Sequence, residues 1–204
     1  GTFRSAPAVQ ETAVAIPTAI GDLDGDGFLD LVWVRFAQSE ENESNYGRIL
    51  SIEVFRGDGK GDFQRSTWAS QVTALRGAMS GRCHLGDLDG DGDLDLLFLV
   101  WYFGERAKIG CIPGNGDGTF AGSLDFATGG GPQSVAVADL DGDGDQDLLV
   151  TDSYDNTVSV LLGNGAGGFG AHADLATGTH PSGVVIGDVN GDGRPDLVAC
   201  TNPL

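Results

Sequence analysis

The sequence predicts an all-β fold, a β-propeller of about four four-stranded antiparallel blades or a segment of a larger propeller. Three observations predict it. A nine-residue acidic loop recurs four times along the 204 residues. Short apolar runs of strand character precede and follow each copy. A glycine-rich motif that ends in Phe recurs between the copies at a nearly constant distance from the loops, so the pattern is a true repeat.

The acidic loop has the composition of a calcium site. Its first copy, DLDGDGFLD, runs from Asp22 to Asp30, and the others run from Asp87 to Asp95, Asp139 to Asp147 and Asp188 to Asp196. Side-chain oxygens at positions 1, 3, 5 and 9 can surround a hard cation, and the glycine at position 6 lets the chain turn. Position 7 adds only its backbone carbonyl, so its side chain can vary, as it does in Phe28, Asp93, Asp145 and Arg194.

Electrostatic repulsion favours a bound ion over a plain turn. Carboxylates held about 4 to 5 Å apart repel one another by about 4 kcal/mol per pair at an effective dielectric constant of about 20. A turn rich in Asp and Gly explains one such loop, but it does not explain four in register. We therefore expect calcium as the cofactor, with about four ions per chain.

The residues around each loop exclude an EF-hand. An EF-hand closes with Glu at position 12, where this chain has Trp33, Phe98, Val150 and Ala199. Apolar runs typical of buried strands follow the loops, and apolar residues at every second position precede them. Each ion is therefore expected between the first and second strands of a blade.

The glycine-rich motif predicts the second half of each blade. It reads Gly-x-Gly-x-Gly-x-Phe or a close variant and ends at Phe63, Phe120 and Phe169. We predict a third strand before the motif (51–55, 108–112 and 157–162), and a fourth that begins at the Phe. The chain then forms one propeller domain or segment, with repeat units at 1–61, 62–117, 118–167 and an incomplete 168–204. Either a small four-bladed ring or a piece of a larger propeller fits this count.

Together these motifs resemble the FG-GAP and VCBS repeat family, the calcium-bearing propeller blades also found in integrin α-subunit heads and in some fungal lectins. The resemblance is strongest from Gly163 to Phe169 and from Gly187 to Leu197. It implies that Asn190, a neutral ligand, makes the fourth site the weakest. The implied side-chain ligands are Asp22, Asp24, Asp26, Asp30, Asp87, Asp89, Asp91, Asp95, Asp139, Asp141, Asp143, Asp147, Asp188, Asn190, Asp192 and Asp196.

Composition limits the partners and the compartment. With 30 acidic and 11 basic residues the net charge is −19, which disfavours nucleic acid and anionic membranes. There is no apolar run of about 18 residues, so we expect no membrane insertion. Cys83, Cys111 and Cys200 occupy positions that are apolar in other units, and we expect buried, unpaired thiols. Weak calcium sites stay filled outside cells, so we expect an extracellular or cell-surface location, with which the sequon at Asn42 agrees.

The sequence contains no recognisable catalytic motif. His84, His172 and His180 are scattered, and the paired carboxylates are assigned to the ions, so we expect no enzymatic activity. A propeller segment of a polysaccharide-processing enzyme would need a charged, partly buried cluster outside the loops. We expect none from the sequence.

Aromatic residues mark the loop face opposite the calcium loops as a candidate ligand surface. They are Tyr46, Trp101, Tyr102, Phe103 and Tyr154, in or beside the connections between second and third strands. Such rings stack on sugars or anchor proteins, although they can also cover the ends of blades. We expect a recognition or adhesion module for a glycan or an extracellular protein. The alternatives are a self-assembling architectural subunit of a cell surface or fibre, and the enzyme segment.

Overall fold

The structure is a computed structural model that describes residues 14–37, 48–70, 78–101 and 107–202. Within these ranges the chain forms 14 β-strands and no helix, so the predicted all-β class is confirmed. No described helix is long and apolar enough to cross a membrane.

The strands form four separate antiparallel sheets, each built from strands that are consecutive in the sequence. Sheet I contains β1 (Val14–Gly21), β2 (Asp30–Ala37), β3 (Arg48–Gly57) and β4 (Phe63–Ser70). Sheet II contains β5 (Ala78–Gly86), β6 (Asp95–Trp101), β7 (Lys108–Ile112) and β8 (Leu124–Ala127). Sheet III contains β9 (Pro132–Ala138), β10 (Asp147–Asp152), β11 (Thr157–Leu161) and β12 (Ala173–Ala176). The described part of sheet IV consists of β13 (Pro181–Gly187) and β14 (Asp196–Thr201).

The start of the fourth strand differs from the prediction in two sheets. β4 begins at Phe63 as predicted, but β8 and β12 begin several residues after Phe120 and Phe169. Each of these two Phe residues forms a single bridge, to Gly114 and Gly163 respectively. The next residue donates its N–H across the turn, from Ala121 to the Pro113 carbonyl and from Gly170 to the Leu162 carbonyl, before the regular ladder resumes.

The hydrophobic core lies between successive sheets. The first strands pack side by side, β1 with β5, β5 with β9 and β9 with β13. Sheet II is covered on both faces: Leu96 and Phe98 pack toward sheet I, whereas Leu97 and Leu99 pack toward sheet III. This explains why β6 is a continuous apolar run that is buried at every position with a described side chain, instead of alternating with polar residues.

Within the described residues no third strand pairs with β14, and this changes one predicted burial. Cys83 and Cys111 are buried as expected, but Cys200 on β14 is exposed. The prediction for Cys200 was therefore wrong. In sheets II and III the second strand lies between two others, whereas among the described strands β14 pairs with β13 alone.

Candidate metal centres

The four acidic loops connect the first and second strands of the four sheets, as the sequence predicts. In each loop the Asp at position 9 opens the second strand, and its Oδ2 accepts the backbone N–H of position 2. These distances are 3.0 Å at Asp30, 2.8 Å at Asp95, 2.8 Å at Asp147 and 3.0 Å at Asp196. This hydrogen bond closes each loop without the help of a bound ion.

In sheets I to III the same carboxylate also ties the loop to the end of the third strand. Its Oδ1 accepts the N–H of the first glycine of the glycine-rich motif, at 2.9 Å for Gly57, 2.8 Å for Gly114 and 2.8 Å for Gly163. A side chain on these glycines would collide with the backbone carbonyl of loop position 8. The motif therefore starts with glycine because the two connections approach so closely.

Backbone amides orient the other loop carboxylates. The position-1 Asp accepts the N–H of the position-6 glycine, at 2.9, 3.1, 3.0 and 2.8 Å in the four loops. These position-6 glycines have φ angles of 86°, 93°, 95° and 79°, a left-handed region that other residues rarely adopt. The side chain at position 3 accepts a hydrogen bond from the backbone N–H of position 5. In the same way, the side chain at position 5 accepts one from the backbone N–H of position 7.

This scaffold brings three carboxylates together in each of the first three loops. One oxygen from each of positions 1, 3 and 9 lies within 4.8 Å of the other two. The three groups are Asp22, Asp24 and Asp30; Asp87, Asp89 and Asp95; and Asp139, Asp141 and Asp147. Such groups can hold a metal ion. The ligands at positions 5 and 7 stay predictions. They are the side chains of Asp26, Asp91 and Asp143 and the backbone carbonyls of Phe28, Asp93 and Asp145.

The fourth loop has the same backbone pattern but a different centre. Asn190 Oδ1 accepts the N–H of Asp192 at 2.8 Å, as the equivalent carboxylates do in the other loops. Its Nδ2 donates to Asp192 Oδ2 at 3.2 Å and to Asp196 Oδ1 at 3.3 Å. The Asn190 side-chain amide therefore donates to two of the predicted metal ligands. The other predicted ligands of this loop, which no contact tests, stay predictions: Asp188, Asp192, Asp196 and the Arg194 carbonyl.

Burial disfavours the charged form of the position-9 carboxyl group in the first two loops. Asp30 and Asp95 are 0% and 1% exposed, and burial raises the pKa of both carboxyl groups despite their hydrogen bonds from backbone amides. Burial also raises the pKa of Asp89. In the exposed fourth loop, by contrast, amides of Gly193 and Gly191 lower the pKa of Asp188.

The donor chemistry fits a hard divalent cation. The three groups offer only carboxylate oxygens, which calcium prefers. In the first loop Asp22 Oδ1 is buried and accepts no hydrogen bond. Arg56 competes with a cation for this loop, because its guanidinium lies 3.2 Å from Asp24 Oδ2. The same guanidinium also donates to the Asp117 carbonyl.

The predicted aromatic surface is only partly described. Tyr154 lies in the turn between β10 and β11, at the end of sheet III opposite its acidic loop, and it is 55% exposed. Trp101 is the last residue of β6. Tyr46, Tyr102 and Phe103, like the sequon at Asn42, lie outside the described residues.

A polar cluster that the sequence analysis did not anticipate lies in sheet III. Buried Asp152 accepts from the Ser159 amide at 3.1 Å and from the Ser159 hydroxyl at 2.7 Å. Ser159 Oγ also lies 3.3 Å from His172 Nδ1 and 3.2 Å from Asp174 Oδ1, while the last two atoms are 2.9 Å apart. The expectation of no charged, partly buried cluster outside the loops was therefore wrong. The register of β11 and β12, which pairs Ser159 directly with Asp174, brings these residues together, and only the structure shows it.

The sequence matches the model of the FG-GAP-like repeat over residues 22–98, 99–150 and 139–199. Comparison with curated proteins gives no match. Among solved structures, a Tc holotoxin pore of Photorhabdus luminescens is similar to this chain, with 19% identity and a TM-score of 0.47. The similarity covers 97% of this chain but 11% of the toxin chain. Because the family model matches most of the sequence and takes in all four acidic loops, this chain belongs to the FG-GAP-like repeat family.

Proposed function

We propose that this chain is an extracellular, calcium-stabilised β-propeller module, or a segment of one, that recognises a glycan or a protein and carries out no chemistry of its own. The observation that carries the proposal is the threefold recurrence of a carboxylate group with oxygens within 4.8 Å of one another. Membership of the FG-GAP-like repeat family supports it.

Calcium would act on the inner half of each blade. The position-9 carboxylate already joins its own loop to the end of the third strand, through the amides of residues such as Leu88 and Gly114. A cation bound by that carboxylate would offset the burial of charge that raises the pKa of Asp95. The ion would therefore stabilise the first three strands together.

Thermal unfolding tests this role. A ligand present at about 100 times its dissociation constant adds about 2.7 kcal/mol per site. With three or more sites, a chelator should lower the melting temperature by many degrees, and added calcium should restore it. Magnesium should restore it less, because it demands a tighter octahedral shell and releases its water reluctantly. A melting curve that calcium and chelator leave unchanged contradicts the proposal.

The recognition surface is proposed on the face opposite the acidic loops. Support comes from Tyr154, whose exposed ring lies against the position where a side chain on Gly131 would be. An exposed aromatic ring can stack on a sugar. A glycan array and a panel of extracellular proteins, screened in calcium with the wild type and Tyr154→Ala, test this. Binding that is lost in the variant supports the proposal, and binding that persists places the surface elsewhere.

The polar cluster of sheet III does not favour the enzyme alternative. Ser159 is 0% exposed, and its hydroxyl is directed at the buried Asp152 carboxylate. A substrate cannot reach that oxygen in this arrangement. The cluster is better explained as a structural polar network that holds β10, β11 and β12 together, although Asp152 Oδ1 is buried in it without a hydrogen-bond partner.

A further inference from the structure

Adjacent sheets meet at a recurring joint. The position-2 residue of one acidic loop packs into the core beside the Phe of the next sheet's glycine-rich motif. Leu23 of sheet I shares a buried cluster with Phe120 of sheet II, and Leu88 of sheet II shares one with Phe169 of sheet III. At the first joint Gly118 also donates its N–H to the Leu23 carbonyl at 2.9 Å. The acidic loops of sheets I and II are therefore part of the contacts between sheets.

The first joint contains an arginine at a position where the second has a proline. Arg56 is the last residue before the glycine-rich motif of sheet I, and its equivalent in sheet II is Pro113. The guanidinium of Arg56 lies 3.2 Å from Asp24 Oδ2, and it donates to the Asp117 carbonyl in the motif of sheet II. Arg56 therefore connects a predicted metal ligand of one sheet to the backbone of the next.

The guanidinium fills the space between the first loop and the motif of sheet II. A Cβ on Gly118 would lie 2.8 Å from Arg56 Nη2, so the arginine packs directly against this glycine. At the second joint the equivalent Gly167 faces the loop itself, and a Cβ there would lie 3.6 Å from the Cβ of Asp89. Asp89 is the position-3 residue of its loop, as Asp24 is of the first. The first joint thus places a positive charge where the second brings the motif against the acidic side chain.

The arginine neutralises part of the charge of the first loop and leaves other oxygens for an ion. The Asp24 side chain is 11% exposed and that of Arg56 is 45% exposed, so water screens their attraction only in part. Asp22 belongs to the same group of three carboxylates, and its Oδ1 is buried and accepts no hydrogen bond. The guanidinium therefore lowers the attraction of the loop for a cation without using every oxygen of the group.

We propose that Arg56 is a built-in cation of the first acidic loop, which holds the joint between sheets I and II in the absence of calcium and lowers the calcium affinity of this loop. Both effects have one cause. The guanidinium attracts a carboxylate that calcium needs, and it repels a second cation. The inference rests on the proposed binding of calcium to the acidic loops, and it makes the contact between sheets I and II less dependent on calcium than the contact between sheets II and III.

An NMR titration of the whole chain with calcium tests the effect on affinity. The amides of Gly27, Gly92 and Gly144 each donate to the position-1 Asp of their own loop, so each signal reports on one loop. In Arg56→Gln the Gly27 signal should move at about fivefold lower calcium than in the wild type, the size of effect expected from one partly exposed charge. The midpoints of the other two signals should stay unchanged. Arg56→Lys keeps the charge and should keep the wild-type midpoint of Gly27.

Arg65→Gln is the matched control. Arg65 is also half-exposed and lies 2.6 Å from a carboxylate of sheet I, but that carboxylate belongs to Glu53, outside the loops. All three midpoints should therefore stay unchanged in this variant, and a shift equal to that of Arg56→Gln would overturn the proposal. If the other loops bind calcium but Arg56→Gln leaves the Gly27 midpoint unchanged, this inference is wrong and the proposed function stands. If no loop amide responds to calcium in the wild type, both are wrong.

Hydrogen exchange in a chelator tests the effect on the joint. The Gly118 amide, which donates to the Leu23 carbonyl beside Arg56, should exchange about fivefold faster in Arg56→Gln than in the wild type. Arg56→Lys should also speed this exchange, because an ammonium group lacks the planar fork that reaches two acceptors at once. The amide of Leu149, buried in sheet III, is the internal reference and should exchange equally in all three chains. Equal exchange of the Gly118 amide in the three chains overturns the proposal.

Discussion

Asp95 and Gly114 are joined by a hydrogen bond of 2.8 Å from the Gly114 amide to Asp95 Oδ1, which fastens the acidic loop of sheet II to the end of its third strand. Asp30 and Asp147 make the same bond with Gly57 and Gly163. The predicted metal ligand at position 9 is therefore also a structural residue. This double role makes its substitution informative.

Asp95→Asn should separate the two roles. Without calcium, removal of a buried charge offsets part of the lost hydrogen bonding, so we expect a change of about 1 kcal/mol or less in the free energy of unfolding. With calcium, a ligand is lost as well, and the cost should rise to about 2–4 kcal/mol. Urea unfolding in calcium and in chelator measures both values.

Asp93→Asn is the matched control, since position 7 is predicted to offer the ion only its backbone carbonyl. Its unfolding free energy should follow the wild type in both conditions. Equal costs of Asp95→Asn with and without calcium would show that Asp95 does not bind the ion.

Asn190→Asp should strengthen the fourth loop. The amide that donates to Asp192 and Asp196 would be replaced by a fourth carboxylate, as in the other loops. One added charge about 4 Å from the ion is worth roughly 4 kcal/mol or more before desolvation at a dielectric constant of about 20. We expect at least a tenfold gain in affinity for one of the sites by calorimetric titration. Asp89→Asn should lower the calcium affinity of the second loop. If neither substitution changes the titration, the ranking of the fourth loop as the weakest site is wrong.

Asp152 should make stability depend on pH. Burial is the main cause that raises the pKa of this carboxyl from 3.8 to about 6, and the carboxylates of Asp174 and Asp155 add repulsion. The folded chain therefore holds the proton more tightly than the unfolded chain. Ionised Asp152 destabilises the fold above pH 6, and this destabilisation is relieved as the pH falls through 6 and is absent below 3.8.

The size of the effect follows from the two pKa values. Their difference corresponds to about 3 kcal/mol. The difference in unfolding free energy between the wild type and Asp152→Asn should change by about that amount between neutral pH and about pH 4, a comparison in which the acidic loops cancel. A difference that is independent of pH would contradict the assignment, and carboxyl NMR titration of Asp152 provides a second reading.

Leu88→Ala should test the joint between sheets II and III. Leu88 is 2% exposed in the cluster that contains Leu97, Val135 and Phe169, so truncation leaves a cavity. We expect a loss of about 2–5 kcal/mol in urea unfolding. Leu175→Ala, at an exposed position of the outer strand, should cost about 0.5 kcal/mol or less. Similar losses for both variants would show that the loop residue does not support the joint.

Much of the architecture could be predicted because its signals are local. The spacing of Asp and Gly identified all four strand connections, and the continuous apolar run after Asp95 indicated a buried strand. The start of β8 and β12 was harder to predict, since Phe120 and Phe169 belong to a single bridge and a core cluster before the ladder resumes.

By itself, the sequence determined the repeat, the all-β class and the carboxylates that face one another in the loops, because these depend on short-range spacing. Only the tertiary structure decided which surfaces remain uncovered and which polar groups meet across strands. Cys200 is exposed and Ser159 lies between Asp152 and Asp174 because burial and contact depend on which strand lies alongside. The pattern within a single strand does not contain that information.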